Sequence, residues 1–426
     1  MTFPLKSEIQ TKIGFKIKSR GDCELLSNII LETIDKSISY NTLSRMFVVS
    51  KETKPNSNTL NILSEYLGYK SYVHFTQNFF LKEKSNFFTL LFEIVNNPKE
   101  DEMVILVKSI YNSSDDFINL IIILSRELFH LKRYDLLNKL FNLKELNYEN
   151  FTYSEVLLLG NSIGLLLRVQ KLDSEIILLT NTNFLKCVYL TFVDYSSLTG
   201  YYGNWTSSIS KTTKLTDITY FCEAITQLKN FLLLKNVNDR VEYSPTLHDL
   251  HPILLGRILS IKILANNYET IELLLAPYFQ SNDKKNTFQL ELSYELTIIA
   301  IITGNIKLMG YLVNEISPNI KPKFYYQKQH INIYYLMCMF YYKLINKEPE
   351  KKLFSEHYKP KEKRANYEEF INLIVLIFNY SETDSLELKS IYKARYLSLA
   401  TQLNYPYFSE NLLNQYFNDL RNPRVV

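Results

Sequence analysis

Residues 22–47 read DCELLSNIILETIDKSISYNTLSRMF. Asp22 has the side chain of a helix N-cap, and Leu25, Leu26, Ile29, Ile30 and Thr33 follow at helical spacing, so an amphipathic helix is expected over about 22–34. The pattern breaks at Asp35-Lys36-Ser37, Ser39 offers a second cap, and Leu43, Met46 and Phe47 form a new apolar stripe. Two short helices separated by a turn of four or five residues follow the helix-turn-helix plan. Beyond the polar residues 51–57, Asn58 is the expected cap of a third helix with Leu60, Leu63 and Leu67 as its core positions. Gly68 stands just past its end, where a left-handed residue terminates a helix, and Ser71 caps a fourth piece carrying Tyr72, Phe75 and Phe79.

In such a unit the second helix enters the major groove and presents hydrogen-bonding side chains to base edges. Asn41 matches an adenine edge and Arg45 a guanine, while Tyr40, Thr42 and Ser44 reach bases or phosphates. Ser39 and the first amides of that helix suit a phosphate, and Lys16, Lys18, Arg20, Lys36, Lys51 and Lys54 flank the helices where backbone-positioning contacts are made. Charge agrees with this placement. Residues 1–84 hold 12 Lys+Arg against 8 Asp+Glu, which leaves 36 against 36 for the remainder, so the whole net charge of +4 is N-terminal. The balance is nevertheless small for a dedicated DNA binder, and a solvated charged face is the plainer reading of charge alone.

The run Ile38-Ser39-Tyr40-Asn41-Thr42-Leu43-Ser44-Arg45, followed by Thr59-Leu60 and Tyr66-Leu67-Gly68, resembles the helix-turn-helix-like N-terminal module of many uncharacterised Bacteroidetes proteins. Its third segment is similar to the helix after the recognition helix in phage-repressor-type DNA-binding domains. The resemblance covers about 80 residues and implies double-stranded DNA as partner. One departure is plain: Arg45 is the only charge between Ser39 and Ser50, so a dimer that doubles the phosphate contacts would repair a weak single unit.

From about residue 87 onward the chain repeats an apolar-periodic helix, a polar turn and another helix. Turns centred at 132 and 170 lie 38 positions apart, those at 267 and 305 also 38, and those at 305 and 346 lie 41 apart. This spacing suits antiparallel helix pairs of tetratricopeptide-like length, although no consensus positions of that repeat are present. The expected fold is therefore all-α: a small helix-turn-helix domain over 1–84, then an α-solenoid of antiparallel helix pairs over 85–426. The layout is similar to peptide-sensing regulators of Gram-positive bacteria, which implies a protein or peptide on the helical repeats. The register is interrupted near 194–216, where two glycines, the single Trp and many hydroxyls read as an irregular surface insertion. Tyr201, Tyr202 and Trp205 are its candidate partner-contacting residues, with an ordinary loop packed back on the helices as the plainer alternative.

Composition narrows the remaining classes. With 46% hydrophobic residues the chain has matter for real cores, and only 10 Gly and 12 Pro in 426 residues disfavour a turn-rich β fold. Cys23, Cys187, Cys222 and Cys338 are scattered without a CxxC and read as buried thiols of a cytoplasmic protein. The first residues, MTFPLKSEIQTK, hold no apolar run and no stretch approaches 18 apolar residues, so neither a leader nor a spanning segment is expected. His248 and His251 share helical spacing but stand between Pro245 and Pro252 without an HExxH glutamate, so no metal is expected. The carboxylate pairs Asp115-Asp116 and Glu368-Glu369 would diverge on a helix, and no phosphate-loop, dinucleotide or nucleophile-elbow motif occurs; neither enzymatic activity nor a cofactor is expected. The competing expectation is a non-enzymatic α-solenoid scaffold whose N-terminal unit is only a helical cap.

Overall fold

The computed structural model describes residues 3–48, 55–96, 99–113, 116–170, 177–237, 251–265, 271–279, 286–316, 325–348 and 369–418. Among them the regular structure is helical throughout, with no strand. The chain divides into two compact units, Met1–Leu131 and Lys132–Val426. The division expected at 84/85 falls inside a single 25-residue helix, and the next two helices, expected in the repeat region, group with the N-terminal ones instead.

The first unit contains α1 (Phe3–Ile13), α2 (Arg20–Ile34), α3 (Tyr40–Phe47), α4 (Ser57–Tyr66), α5 (Tyr72–Asn96), α6 (Glu100–Ser113) and α7 (Phe117–His130). Helix α2 packs on α3 and α4, and α1 on α4, around a core that includes Leu5, Ile9, Leu26, Ile30, Leu43, Met46 and Leu63. Each large aliphatic side chain so buried contributes about 1.5–3 kcal/mol. The turn between α2 and α3 has a specific build. Asp35 ends α2 in the left-handed conformation, Ile38 plugs the core, and Ser27 Oγ donates to the Ile38 carbonyl at 2.6 Å.

Two caps differ from expectation. The N-cap of α2 is Ser19, whose Oγ accepts from the Asp22 amide while the Asp22 carboxylate accepts from the Ser19 amide; Asp22 closes a capping box from the third helical position. The cap of α4 is Asn56 rather than Asn58, accepting from the Thr59 amide at 2.8 Å. The caps at Ser39 and Ser71 and the left-handed Gly68 stand where the sequence puts them.

The second unit contains α8 (Tyr134–Phe141), α9 (Tyr153–Gln170), α10 (Thr182–Phe184, continued as a wide turn through Tyr189), α11 (Tyr201–Thr212), α12 (Thr216–Leu232) and α13 (Pro252–Ala265). It continues with α14 (Ile271–Phe279), α15 (Asn286–Thr303), α16 (Ile306–Glu315), α17 (Tyr325–Leu344), α18 (Glu369–Glu382), α19 (Leu386–Leu403) and α20 (Glu410–Gln415). Turns fall at three of the predicted places: Lys132, Gly304 and Asn346 are all left-handed, and Asn305 caps α16. Helices α13, α15 and α17 stack in succession. At Gly256 a Cβ would lie 2.1 Å from the Leu292 carbonyl oxygen, so only glycine lets α13 and α15 meet there.

The segment expected as an irregular surface insertion instead contains a regular helix with a buried side. Residues 201–212 form α11, with Tyr202 and Trp205 buried at 0% and 2% exposure. Its hydroxyls are satisfied within the helix, Thr206 Oγ1 on the Tyr202 carbonyl and Ser207 Oγ on that of Gly203, both at 3.0 Å. The turn before it is clasped by the end of the chain. Leu198 N donates to Tyr405 Oη at 3.1 Å, Tyr405 Oη donates to the Tyr195 carbonyl, and Thr199 Oγ1 donates to the Leu403 carbonyl at 2.9 Å. These bonds join residues more than 200 positions apart and go beyond nearest-neighbour stacking of repeats. All four cysteines are buried and none forms a disulfide. Among the described residues no helix is long and apolar enough to cross a membrane.

Candidate nucleic-acid interface

Helix α3 exists because Ser39 caps it and because Leu43 and Met46 bury one side against α2; the Ser39 Oγ accepts from the Thr42 amide at 3.3 Å. Burying that side leaves a ridge at i, i+3, i+4 and i+7. Asn41 and Arg45 are exposed, Ser44 is half-buried, and Val48 continues the ridge at the C-cap. Eight residues at about 1.5 Å each give α3 a length of about 12 Å, and a helix diameter of about 10–12 Å with side chains is what a major groove about 12 Å wide admits. The ridge thus presents an amide, a hydroxyl and a guanidinium on a rigid support.

The other residues assigned to bases are differently employed. Tyr40 is half-buried, and the Arg20 guanidinium lies 4.3 Å from its ring centroid while donating to its hydroxyl, so Tyr40 holds Arg20 at the start of α3. Thr42 turns its hydroxyl to Ser39 Oγ at 2.9 Å. Base reading by either would require these bonds to be exchanged.

The flanking cations divide into two groups. Lys36 pairs with Glu65, and Arg20 with Glu24 at 3.3 Å, so part of their charge is offset locally. Lys16, Lys18 and Arg45 are exposed and form no ion pair among the described residues. Lys51 and Lys54 lie outside the described residues. The backbone amides of Lys18 and Ser19 and the Ser19 hydroxyl hold the Asp22 carboxyl below its usual range, so one fixed negative charge sits beside Lys18. Helix α1 is an addition to the helices expected from the sequence, and Leu5, Ile9 and Ile13 recur along it at four-residue spacing. That helix brings Lys6 to 5.9 Å from the Phe47 ring, adding a cation at the C-terminal end of α3.

Two of the three candidate contacts in the second unit are not available on its surface. Tyr202 and Trp205 are core residues, and half-buried Tyr201 donates to Asp194 Oδ2 at 2.7 Å. They border a buried polar network that sequence spacing did not reveal. Arg257 Nε lies 2.8 Å from Glu295 Oε1, its Nη1 donates to the Leu190 carbonyl at 3.0 Å, and the Tyr195 hydroxyl donates to the same Glu295 oxygen. Burial works against the Arg257 charge, but Glu295 more than offsets it and the guanidinium is held firmly protonated. Of the His248/His251 pair, His248 lies outside the described residues, and His251 stacks on Tyr153 with centroids 3.2 Å apart. Among the described residues no group of three His, Cys, Asp or Glu side chains could hold a metal ion.

Compared with known proteins, the chain matches no protein-family model, no curated protein and no solved structure.

Proposed function

We propose that the N-terminal helices bind double-stranded DNA as a helix-turn-helix and that the protein is a cytoplasmic, non-enzymatic transcriptional regulator. The observation that carries the reading is the ridge of Asn41, Ser44 and Arg45, set on a groove-width helix and braced from behind by the shared core of α2 and α4. Asn41 is assigned to an adenine edge and Arg45 to a guanine, while Lys16, Lys18 and Arg20 take phosphates. Tyr40 positions Arg20, and Ser39 serves the helix as its cap.

The second unit is assigned a protein- or peptide-binding role. The stacking of α13, α15 and α17 supports a repeat-like arrangement, closed by the bonds of residues 403–405 to residues 195–199. A scaffold without DNA binding is the second reading. It is favoured by the pairing of Lys36 with Glu65 and of Arg20 with Glu24, and by the single cation on α3 itself.

The test is enrichment of duplexes from a randomised pool on the full-length protein. A recovered half-site whose adenine preference vanishes with Asn41→Ala and whose guanine preference vanishes with Arg45→Ala supports the assignment. Recovery of no DNA at low salt favours the scaffold.

A further inference from the structure

Helix α3 ends on an exposed apolar side chain. Over residues 40–48, Leu43 and Met46 are buried, Tyr40 and Phe47 are half-buried, and Val48 is 39% exposed. The helical register continues through Val48, whose φ of −109° and ψ of −39° are right-handed and whose amide donates to the Ser44 carbonyl at 2.9 Å. At about 100° per residue, Val48 points within about 20° of Asn41 and about 60° of Arg45, and about 140–160° away from Leu43 and Met46. An apolar side chain thus stands in line with the hydrogen-bonding ones, on the face turned away from the core.

Spacing along the helix fixes what Val48 meets. A groove-bound helix reads bases from positions i, i+3, i+4 and i+7, and Asn41, Ser44, Arg45 and Val48 occupy those positions. At about 1.5 Å per residue, Arg45 lies about 6 Å beyond Asn41 and Val48 about 10.5 Å beyond it. With about 3.4 Å per base pair these are about two and three steps along the duplex, so Val48 faces the pair next to the guanine assigned to Arg45. The apolar substituent displayed in the major groove is the thymine C5-methyl group. Set on any other edge, a valine would displace water from donors and acceptors without replacing its hydrogen bonds.

We propose that Val48 is a specificity-determining residue that packs its γ-methyl groups against a thymine C5-methyl. The half-site then contains an adenine, a guanine about two steps on, and a thymine, on either strand, at the step after that. This assignment rests on the reading of α3 as the helix that enters the groove.

The test uses duplexes enriched on the full-length protein, with the thymine replaced by deoxyuridine. That change removes the methyl group and leaves every hydrogen-bonding group of the base in place. The parent protein should bind the uracil duplex about fourfold more weakly, the effect of one methyl group no longer withdrawn from water. Val48→Ala should bind thymine and uracil duplexes equally, while keeping its adenine and guanine preferences and the salt dependence of the parent. Because Val48 is exposed, far-UV circular dichroism should be the same for the variant as for the parent. Adenine and guanine preferences that follow Asn41 and Arg45, with no thymine at the next step or with equal binding of uracil there, overturn the role of Val48 and leave the groove-binding reading standing. A uracil penalty that persists in Val48→Ala overturns that role as well. Recovery of no duplex at low salt overturns both.

Discussion

Replacing Arg257 by Met keeps most of the side-chain volume but leaves Glu295, only 3% exposed, without its guanidinium, and leaves the Leu190 carbonyl without that donor. Removing one member of a buried ion pair costs about 3–5 kcal/mol, because the remaining charge is stranded away from water. The lost bond to Leu190 adds about 1 kcal/mol, so destabilisation of about 4–6 kcal/mol is expected for the second unit. Trp205 is the only tryptophan of the chain and is buried in that unit, so its fluorescence during urea unfolding reports the unit selectively. For a slope of about 3 kcal/mol per M urea the midpoint should fall by about 1.3–2 M. Adding Glu295→Gln removes the stranded charge yet keeps an acceptor for the Tyr195 hydroxyl, and should bring stability back to within about 1–2 kcal/mol of the parent. A single variant that costs less than about 1 kcal/mol would refute the reasoning. So would a double variant no better than the single one.

Two further outcomes follow from the same unit. Burial, with the Arg257 charge as the next contribution, pushes His330 down to about 3 and His251 well below the usual imidazole value. The unfolded chain takes up protons at both positions below about pH 6.5 while the folded one does not, so Trp205-monitored stability should fall by up to about 2.7 kcal/mol per pH unit from that pH downward. The His330 share levels off near pH 3, and a His330→Gln, His251→Gln variant with an undiminished slope would contradict this account. Gly256→Ala forces a methyl against the Leu292 carbonyl and should lower the same urea transition by about 1–3 kcal/mol; an unchanged midpoint would show that α13 and α15 separate freely.

The parts of the fold that were legible are those encoded locally. Ser39, Gly68, Ser71, Gly304 and Asn346 mark real helix ends because capping and left-handed conformations depend on one residue and its near neighbours. At α2 the cap lies one turn before Asp22. Ser19 and Asp22 together make the capping box, and either one alone resembles a cap. The Ser- and Thr-rich 194–216 stretch misled for a physical reason: hydroxyls read as loop residues unless they can return to carbonyls three or four positions earlier, as Thr206, Ser207 and Thr212 do. What lay beyond sequence reading was distant pairing. Arg257 and Glu295 are 38 positions apart, and Tyr405 clasps Leu198 across 207, separations at which no periodicity connects partners. At the candidate interface the outward placement of Asn41 and Arg45 was legible from the apolar stripe of α3. The engagement of Tyr40 by Arg20 and of Lys36 by Glu65 was not, because both join separate elements.

The most direct test of the central claim is the salt dependence of DNA affinity, measured with the full-length protein on an enriched duplex. Lys16, Lys18 and Arg20 are the exposed cations assigned to phosphates, so the logarithm of the binding constant should fall with the logarithm of salt concentration at a slope of about −3 per N-terminal unit. Arg45→Ala should lower affinity by about 1–3 kcal/mol and abolish the preference for its guanine. A slope near zero, or an affinity that Arg45→Ala leaves untouched, would contradict the account.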